Sequence, residues 1–295
     1  MAKKPRILVG QVAAITGAAR GIGKATAQAF AREGMKVAIG DLDAALAEQA
    51  AAEIGPNAEG FPLDVTRRES FEAFVDAAEE RFGPLDVLIN NAGIMPLGRF
   101  IDEPDATAAR MIDINLHGVI HGMKIALPRM MARNRGHVVN ISSQAGKYGA
   151  PGGATYSATK HAVVGLTEAV RGELHIEGSA VELSYVMPFV VNTELGAGTG
   201  QAMGLKHLEP ADVADAIVDA LRHGVVDVWV PRSSRHTQRL NQVLPRRISE
   251  RIARAMKADR VLMGADRQAR AAYELRAAHS EPGLEPADDA PQLAP

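Results

Sequence analysis

Eight residues carry the first chemical signal: Thr16-Gly17-Ala18-Ala19-Arg20-Gly21-Ile22-Gly23, placed after a short apolar run and before a helical segment. Glycines at 17, 21 and 23 permit a tight turn, close approach of a pyrophosphate to backbone N–H groups, and close helix packing. The same glycines also suit a strand-to-helix turn that holds no ligand. Asp41 follows Gly17 by 24 residues, where an acidic side chain can accept hydrogen bonds from adenosine ribose hydroxyls and repel a 2′-phosphate. NAD is therefore preferred over NADP. Asp41 and Asp43 also lie just before a helical segment, where carboxylates are favoured as caps. Arg20, a base in the glycine turn, is the residue that would help hold a 2′-phosphate. Farther along, Tyr156 and Lys160 stand four residues apart, so on a helix they share one face. A phenol titrates near ~10, and bringing it toward ~7 takes on the order of 4 kcal/mol of preferential phenolate stabilisation. A neighbouring ammonium and an oxidised nicotinamide can share that work. A Tyr-Lys pair on an ordinary surface helix has the same spacing.

The elements that must position these residues alternate along the chain. Apolar runs at Val12–Ile15, Lys36–Gly40, Gly60–Leu63, Val87–Ile89, His137–Ile141, Ala180–Val186 and Asp227–Val230 read as strands. Between them lie helical segments at Ile22–Arg32, Ala44–Glu53, Arg67–Arg81, about Asp105–Met131, from about Tyr156, and Ala211–Arg222. Seven almost wholly apolar strands separated by helices predict a doubly wound, Rossmann-type α/β domain, mostly parallel, over residues 6–231. Pro128 is expected to kink the long helix. Ligands of such folds lie beyond the carboxyl ends of the strands.

The glycine turn, Asn90-Asn91-Ala92-Gly93 and Tyr156-Ser157-Ala158-Thr159-Lys160, occurring in that order, resemble the short-chain dehydrogenase/reductase family over about residues 10–231. The resemblance implies a nicotinamide cofactor, with Asp64 and Val65 beside the adenine and with Asn91, Ala92 and Gly93 lining the cleft. It further implies Tyr156 as proton-transferring group, Lys160 on the ribose, and Ser143, thirteen residues before Tyr156, on the substrate oxygen. Ser142 is the local competitor, expected to be a strand-end hydroxyl satisfied by backbone. Asn115 matches the family asparagine that disturbs the long helix and holds a water linking Lys160 to solvent. Pro188 and Thr193 match positions near the nicotinamide, although Phe189 stands where glycine usually follows that proline. The implied reaction is hydride transfer between an alcohol carbon and the cofactor.

The loops expected at the substrate are apolar: Ile94, Met95, Pro96 and Leu97 in one, and Phe189, Leu195, Met203 and Leu205 in another. They point to a lipophilic alcohol or ketone such as a steroid, retinoid or terpenoid. Alternatives are an NADP-dependent reductase of 3-oxoacyl thioesters or another carbonyl, and a non-catalytic cofactor-binding scaffold or regulator. Gly196, Gly198, Gly200 and Gly204 make the second loop a candidate lid. His117 and His121 have metal-pair spacing but lack a third ligand, so no metal is expected.

Composition bounds the remainder. The 295 residues contain no cysteine, which excludes thiol catalysis, a disulfide scaffold and thiolate metal sites. The net charge of −2 conceals a net −6 over residues 1–231, +8 over 232–280 and −4 over 281–295. Lys3, Lys4 and Arg6 before the Ile7–Ile15 stretch imitate a secretory signal, but the stretch is short and runs into the glycine turn, so a cytoplasmic protein is expected. The segment Pro245–Gly264 reads as one basic amphipathic helix, with Ile248, Ile252, Ala255, Met256, Leu262 and Met263 opposite Arg246, Arg247, Arg254, Lys257 and Arg260. It suits peripheral membrane contact or packing on the domain or a neighbouring subunit. Residues 281–295 are expected to be a disordered acidic tail, and a homodimer or homotetramer is expected by resemblance.

Overall fold

Short apolar runs become strands wherever both sheet faces are covered. Val12–Thr16 (β1), Val87–Asn90 (β4) and His137–Ile141 (β5) are buried at every residue. The computed structural model describes residues 5–202 and 206–279. Lys36–Asp41 (β2), Ala58–Pro62 (β3), Glu182–Pro188 (β6) and Asp227–Val230 (β7) complete a seven-stranded parallel sheet in the order β3-β2-β1-β4-β5-β6-β7. β3 departs from the expected apolar strand: it is the sheet edge, is nowhere fully buried and includes Glu59.

Helices Gly21–Arg32 (α1), Ala44–Ile54 (α2) and Pro210–His223 (α7) cover one face, burying Phe30, Ala47 and Ile217 with Ile15 and Ile39. The other face takes Arg68–Phe82 (α3), the helical stretch Asp105–Ile112 (α4) through Gly118–Ala132 (α5), and Ala154–Ile176 (α6). There Phe71, Phe74, Met123 and Val163 pack on Leu88 and Val138. The α5 helix continues through Pro128 to Ala132. Between α4 and α5, Asp113–His117 forms a π-helical turn, the disturbance expected around Asn115.

Register brings the motifs together. Thr16 lies opposite Gly40 and Ile15 opposite Ile89, which sets the glycine turn beside Asp41 on one flank and Asn91 on the other. Ile141 opposite Val186 likewise sets Ser143 near Pro188. Strand order reverses between β1 and β4, the place where a doubly wound sheet opens a crevice.

The carboxy-terminal segment forms Ser234–Val243 (α8), Arg246–Ala255 (α9) and Arg267–His279 (α10). The single helix expected over Pro245–Gly264 is thus corrected. It stops at Ala255, and Lys257 turns the chain in left-handed backbone at φ 56°. The turn sends Val261 and Leu262 inward to pack beside Tyr156 and Met95, so Leu262 leaves the face it shared on the helical wheel. Apolar burial outweighs continuation of the helix. Met203, Gly204, Leu205 and the 281–295 tail lie outside the described residues.

Candidate active site

The crevice is a cleft of about 910 Å³ across the carboxyl ends of the strands. Its floor begins at the glycine turn, where Gly17 and Gly21 take φ of 61° and 57°. A Cβ on Gly17 would meet the Ala92 backbone at 2.8 Å, and one on Gly23 would meet the Gly17 carbonyl at 2.6 Å. Asn91 holds the turn by donating from Nδ2 to the carbonyls of Thr16 (2.8 Å) and Gly17 (2.9 Å). Thr16 Oγ1 accepts in return from the backbone of Asn91 and Ala92. The α1 N-terminus has no side-chain cap and no acid in its first turn. Its first amides and the positive end of its dipole therefore suit a pyrophosphate.

Asp41 stands at the end of β2, its carboxylate accepting from the backbone N–H of Ala19 (3.0 Å) and of Asp43 (3.2 Å). Burial raises its pKa above the ordinary carboxylate value, while those two bonds oppose the shift. The capping role belongs to Asp43 instead, whose side chain accepts from Leu46 N. Arg20 faces the same cleft, and its guanidinium pairs with Glu194 (3.1 Å) and Asp43 (3.6 Å). Asp64 Oδ1 accepts both the N–H and the hydroxyl of Thr66. Val65, Ala92 and Ile22 share the cleft wall with it.

On the opposite wall Tyr156 and Lys160 are both buried in α6. Ser143 stands beside the Tyr156 hydroxyl, while Lys160 Nζ lies 5.6 Å from the tyrosine ring centre and donates to the Ile141 carbonyl at 2.8 Å. Burial pushes Tyr156 up to about 12, with the neighbouring Ser143 side chain opposing the shift, and pushes Lys160 down to about 8. Ser143 also accepts from Ala145 N, and Ser142 donates instead to the Lys160 carbonyl.

Asn115 does not touch the cleft. Fully buried, it accepts from Ile94 N (2.8 Å) and donates to Ile94 O (2.9 Å) and Thr159 Oγ1 (3.2 Å). A Cβ on Gly93 would come within 3.1 Å of Asn115 Oδ1 and 3.6 Å of Lys160 Nζ, so the missing side chain leaves those groups facing across a gap. Gly23 likewise stays behind the wall; every other residue named for catalysis or cofactor contact, Pro188 and Thr193 included, faces the cleft. Phe189 keeps ordinary backbone and extends the β6–β7 ladder by donating to the Val230 carbonyl. His117 pairs with Asp113 and His121 with the Val65 carbonyl.

Sequence reasoning missed the roof. Tyr273, Arg276 and Ala277 of α10 line the cleft together with Val261 and Leu262, as do Tyr148 and Arg110. Tyr273 is hydrogen-bonded through its hydroxyl to Met95 N at 2.7 Å, and Glu274 accepts from Leu97 N. Arg270 is 2% exposed and donates to the carbonyls of Leu195, Ala197 and Met95 and to Glu274, with its guanidinium 5.0 Å from the Tyr273 ring centre. The candidate lid over Gly196–Gly200 is therefore pinned to α10. Arg270, Tyr273, Glu274 and Ala277 have i, i+3, i+4, i+7 spacing, a docking face invisible to a search for apolar periodicity because three of its four members are polar.

Known proteins match this arrangement. A family model described as short chain dehydrogenase matches residues 11–204. Galactitol 2-dehydrogenase of Agrobacterium fabrum is 42% identical over 185 residues, 62% of this chain and 72% of that protein. Probable oxidoreductase EphD of Mycobacterium tuberculosis is 35% identical over 243 residues, 74% of this chain but 41% of that longer protein. The crystal structure of a short chain dehydrogenase/reductase from Burkholderia phymatum in complex with NAD superposes with a TM-score of 0.74 at 29% identity, covering 80% of this chain and 94% of that one.

Proposed function

The chain belongs to the short-chain dehydrogenase/reductase family, and from that premise we propose that it interconverts a lipophilic alcohol and its ketone or aldehyde, using NAD in preference to NADP. One observation carries the reading: the Ser143–Tyr156 hydroxyl pair with Lys160 shares a single cleft with the glycine turn and an apolar compartment.

The residues fit the dinucleotide. Glycines without room for a Cβ, an uncapped α1 N-terminus and a carboxylate beside Ala19 form a cradle for pyrophosphate and ribose. Asp41 favours free ribose hydroxyls, and Arg20, held by Asp43 and Glu194, is occupied by carboxylates instead of facing a 2′-phosphate alone. When bound, the nicotinamide supplies the hydride-accepting or hydride-donating carbon.

Ser143 orients the substrate oxygen, and Tyr156 gives or takes its proton. Burial favours neutral Tyr156, the form that protonates a carbonyl oxygen in reduction. Alcohol oxidation needs phenolate. Bringing Tyr156 from about 12 to near neutrality takes on the order of 7 kcal/mol of added positive potential. The Lys160 ammonium, poised near 8, supplies part of it. Asn115 is a positioning residue: it fixes the Ile94 backbone and faces Lys160 across Gly93, where a water can relay the proton.

The substrate compartment joins Ile94, Met95, Phe189 and Leu195 to Val261 and Leu262. That lining supports a steroid, retinoid or terpenoid skeleton over a phosphorylated or thioester substrate. By family resemblance the working unit is a homodimer or homotetramer. A panel of lipophilic secondary alcohols incubated with NAD or NADP, followed at the absorbance of the reduced cofactor, tests the reading. NAD-dependent turnover is expected, and turnover confined to polyols or to NADP overturns it.

A further inference from the structure

Helix α9 contains no buried residue. Its apolar side chains nevertheless form one edge: Ile248, Ile252 and Met256 are 44%, 41% and 37% exposed, and Val243, just before the helix, is 78% exposed. Such a helix gains little from packing against the domain that carries it, although a ten-residue helix in water is marginal without a partner. The segment is basic. Residues 245–264 carry six basic and two acidic side chains, and one of those acids, Glu250, pairs with Arg246. Arg251 flanks the apolar edge beside Ile248, and Arg246, Arg247 and Arg254 lie on the opposite face at helical spacing.

We propose that α9 is an interfacial anchor that seats the protein on an anionic lipid bilayer. Ile248, Ile252 and Met256 enter the acyl boundary, and the surrounding arginines meet the lipid headgroups. No described helix is long and apolar enough to cross a membrane, so the contact is peripheral. A short chain segment links the anchor to the catalytic cleft. Ala258, Val261 and Leu262, within seven residues of the end of α9, line the cleft. A lipophilic substrate dissolved in the bilayer would thus meet the protein at a segment continuous with the pocket wall. Anchoring stands on α9 alone; its use in substrate delivery rests on the lipophilic reading above.

The test uses the full chain with sedimenting vesicles of phosphatidylcholine, with and without about one-third phosphatidylglycerol, at low and high salt. Binding is expected to the anionic vesicles and to fall at least about tenfold at high salt, a fall also expected from Arg247→Glu with Arg251→Glu. Ile248→Glu with Ile252→Glu should lose binding even at low salt. Protein fluorescence quenching by NADH, measured on every variant, reports an intact fold; its failure in the wild type would sink the proposed function but leave the vesicle result readable. Absence of binding to anionic vesicles, or equal binding by wild type and variants, overturns the anchor. So does light scattering that shows the same substitutions dissolving an oligomer while vesicles are ignored, which would assign the face to a second copy of this chain.

Discussion

At the scale of single residues, the site is governed by burial acting against charge. Tyr156, pushed up to about 12, and Lys160, pushed down to about 8, both suffer desolvation of their charged forms. Reduction uses protonated Tyr156, so its rate should stay level through neutral pH and fall only as the phenol titrates. Oxidation uses phenolate, so its rate should climb as pH rises. Initial rates in both directions against pH check this, and Lys160→Met should move the oxidation limb to higher pH. Asp41 gives a second residue-scale expectation. Asp41→Ala should lower kcat/KM with NAD roughly 10–100-fold, the worth of hydrogen bonds to a charged group, and narrow the gap to NADP. Unchanged cofactor preference would return Asp41 to a purely structural role at the end of β2.

At the scale of elements, the helix that matters most for the substrate is α10. Arg270 fastens three loop carbonyls from beneath the roof, and Tyr273 and Glu274 fasten two loop amides. Arg270→Met leaves those carbonyls without their charged donor. The expected result is a loss of about 2–4 kcal/mol, seen as a lowered Tm, with faster amide exchange in residues 94–97 and 195–198. KM for substrate should rise more than KM for NAD, because Arg270 sits over the apolar end of the cleft. A different device closes the cofactor end: Glu194 bridges Arg20 of the glycine turn and Arg276 of α10. These pairs are exposed, so Glu194→Gln should change stability by less than about 1 kcal/mol while quickening NADH release in stopped-flow fluorescence.

At the scale of the whole molecule, what the sequence made legible follows from how each signal is encoded. Strands buried on both faces leave continuous apolar runs, and the glycine turn and Tyr156-to-Lys160 spacing are local, so the sheet and both cleft walls could be read along the chain. The role of Ser143 depended on family resemblance, and its place beside Tyr156 on tertiary contact. Hydrophobic periodicity could not find α10, whose docking face is Arg270, Tyr273 and Glu274. It also misjudged 245–264, because a helical wheel cannot show that Lys257 reverses the backbone and turns Leu262 inward. The charge asymmetry likewise divides. Part of the +8 segment is consumed internally by Arg270 and Arg276, and part is displayed on α9.

The proposed function makes Tyr156 the proton-transferring group of a nicotinamide-linked oxidoreductase. The most direct measurement compares wild type with Tyr156→Phe for NAD reduction by a lipophilic secondary alcohol, alongside NADH binding by fluorescence. The account predicts that kcat falls by roughly 10²–10⁴-fold, the usual weight of general acid–base catalysis, while NADH binding is retained. Equal turnover by the two proteins would contradict it.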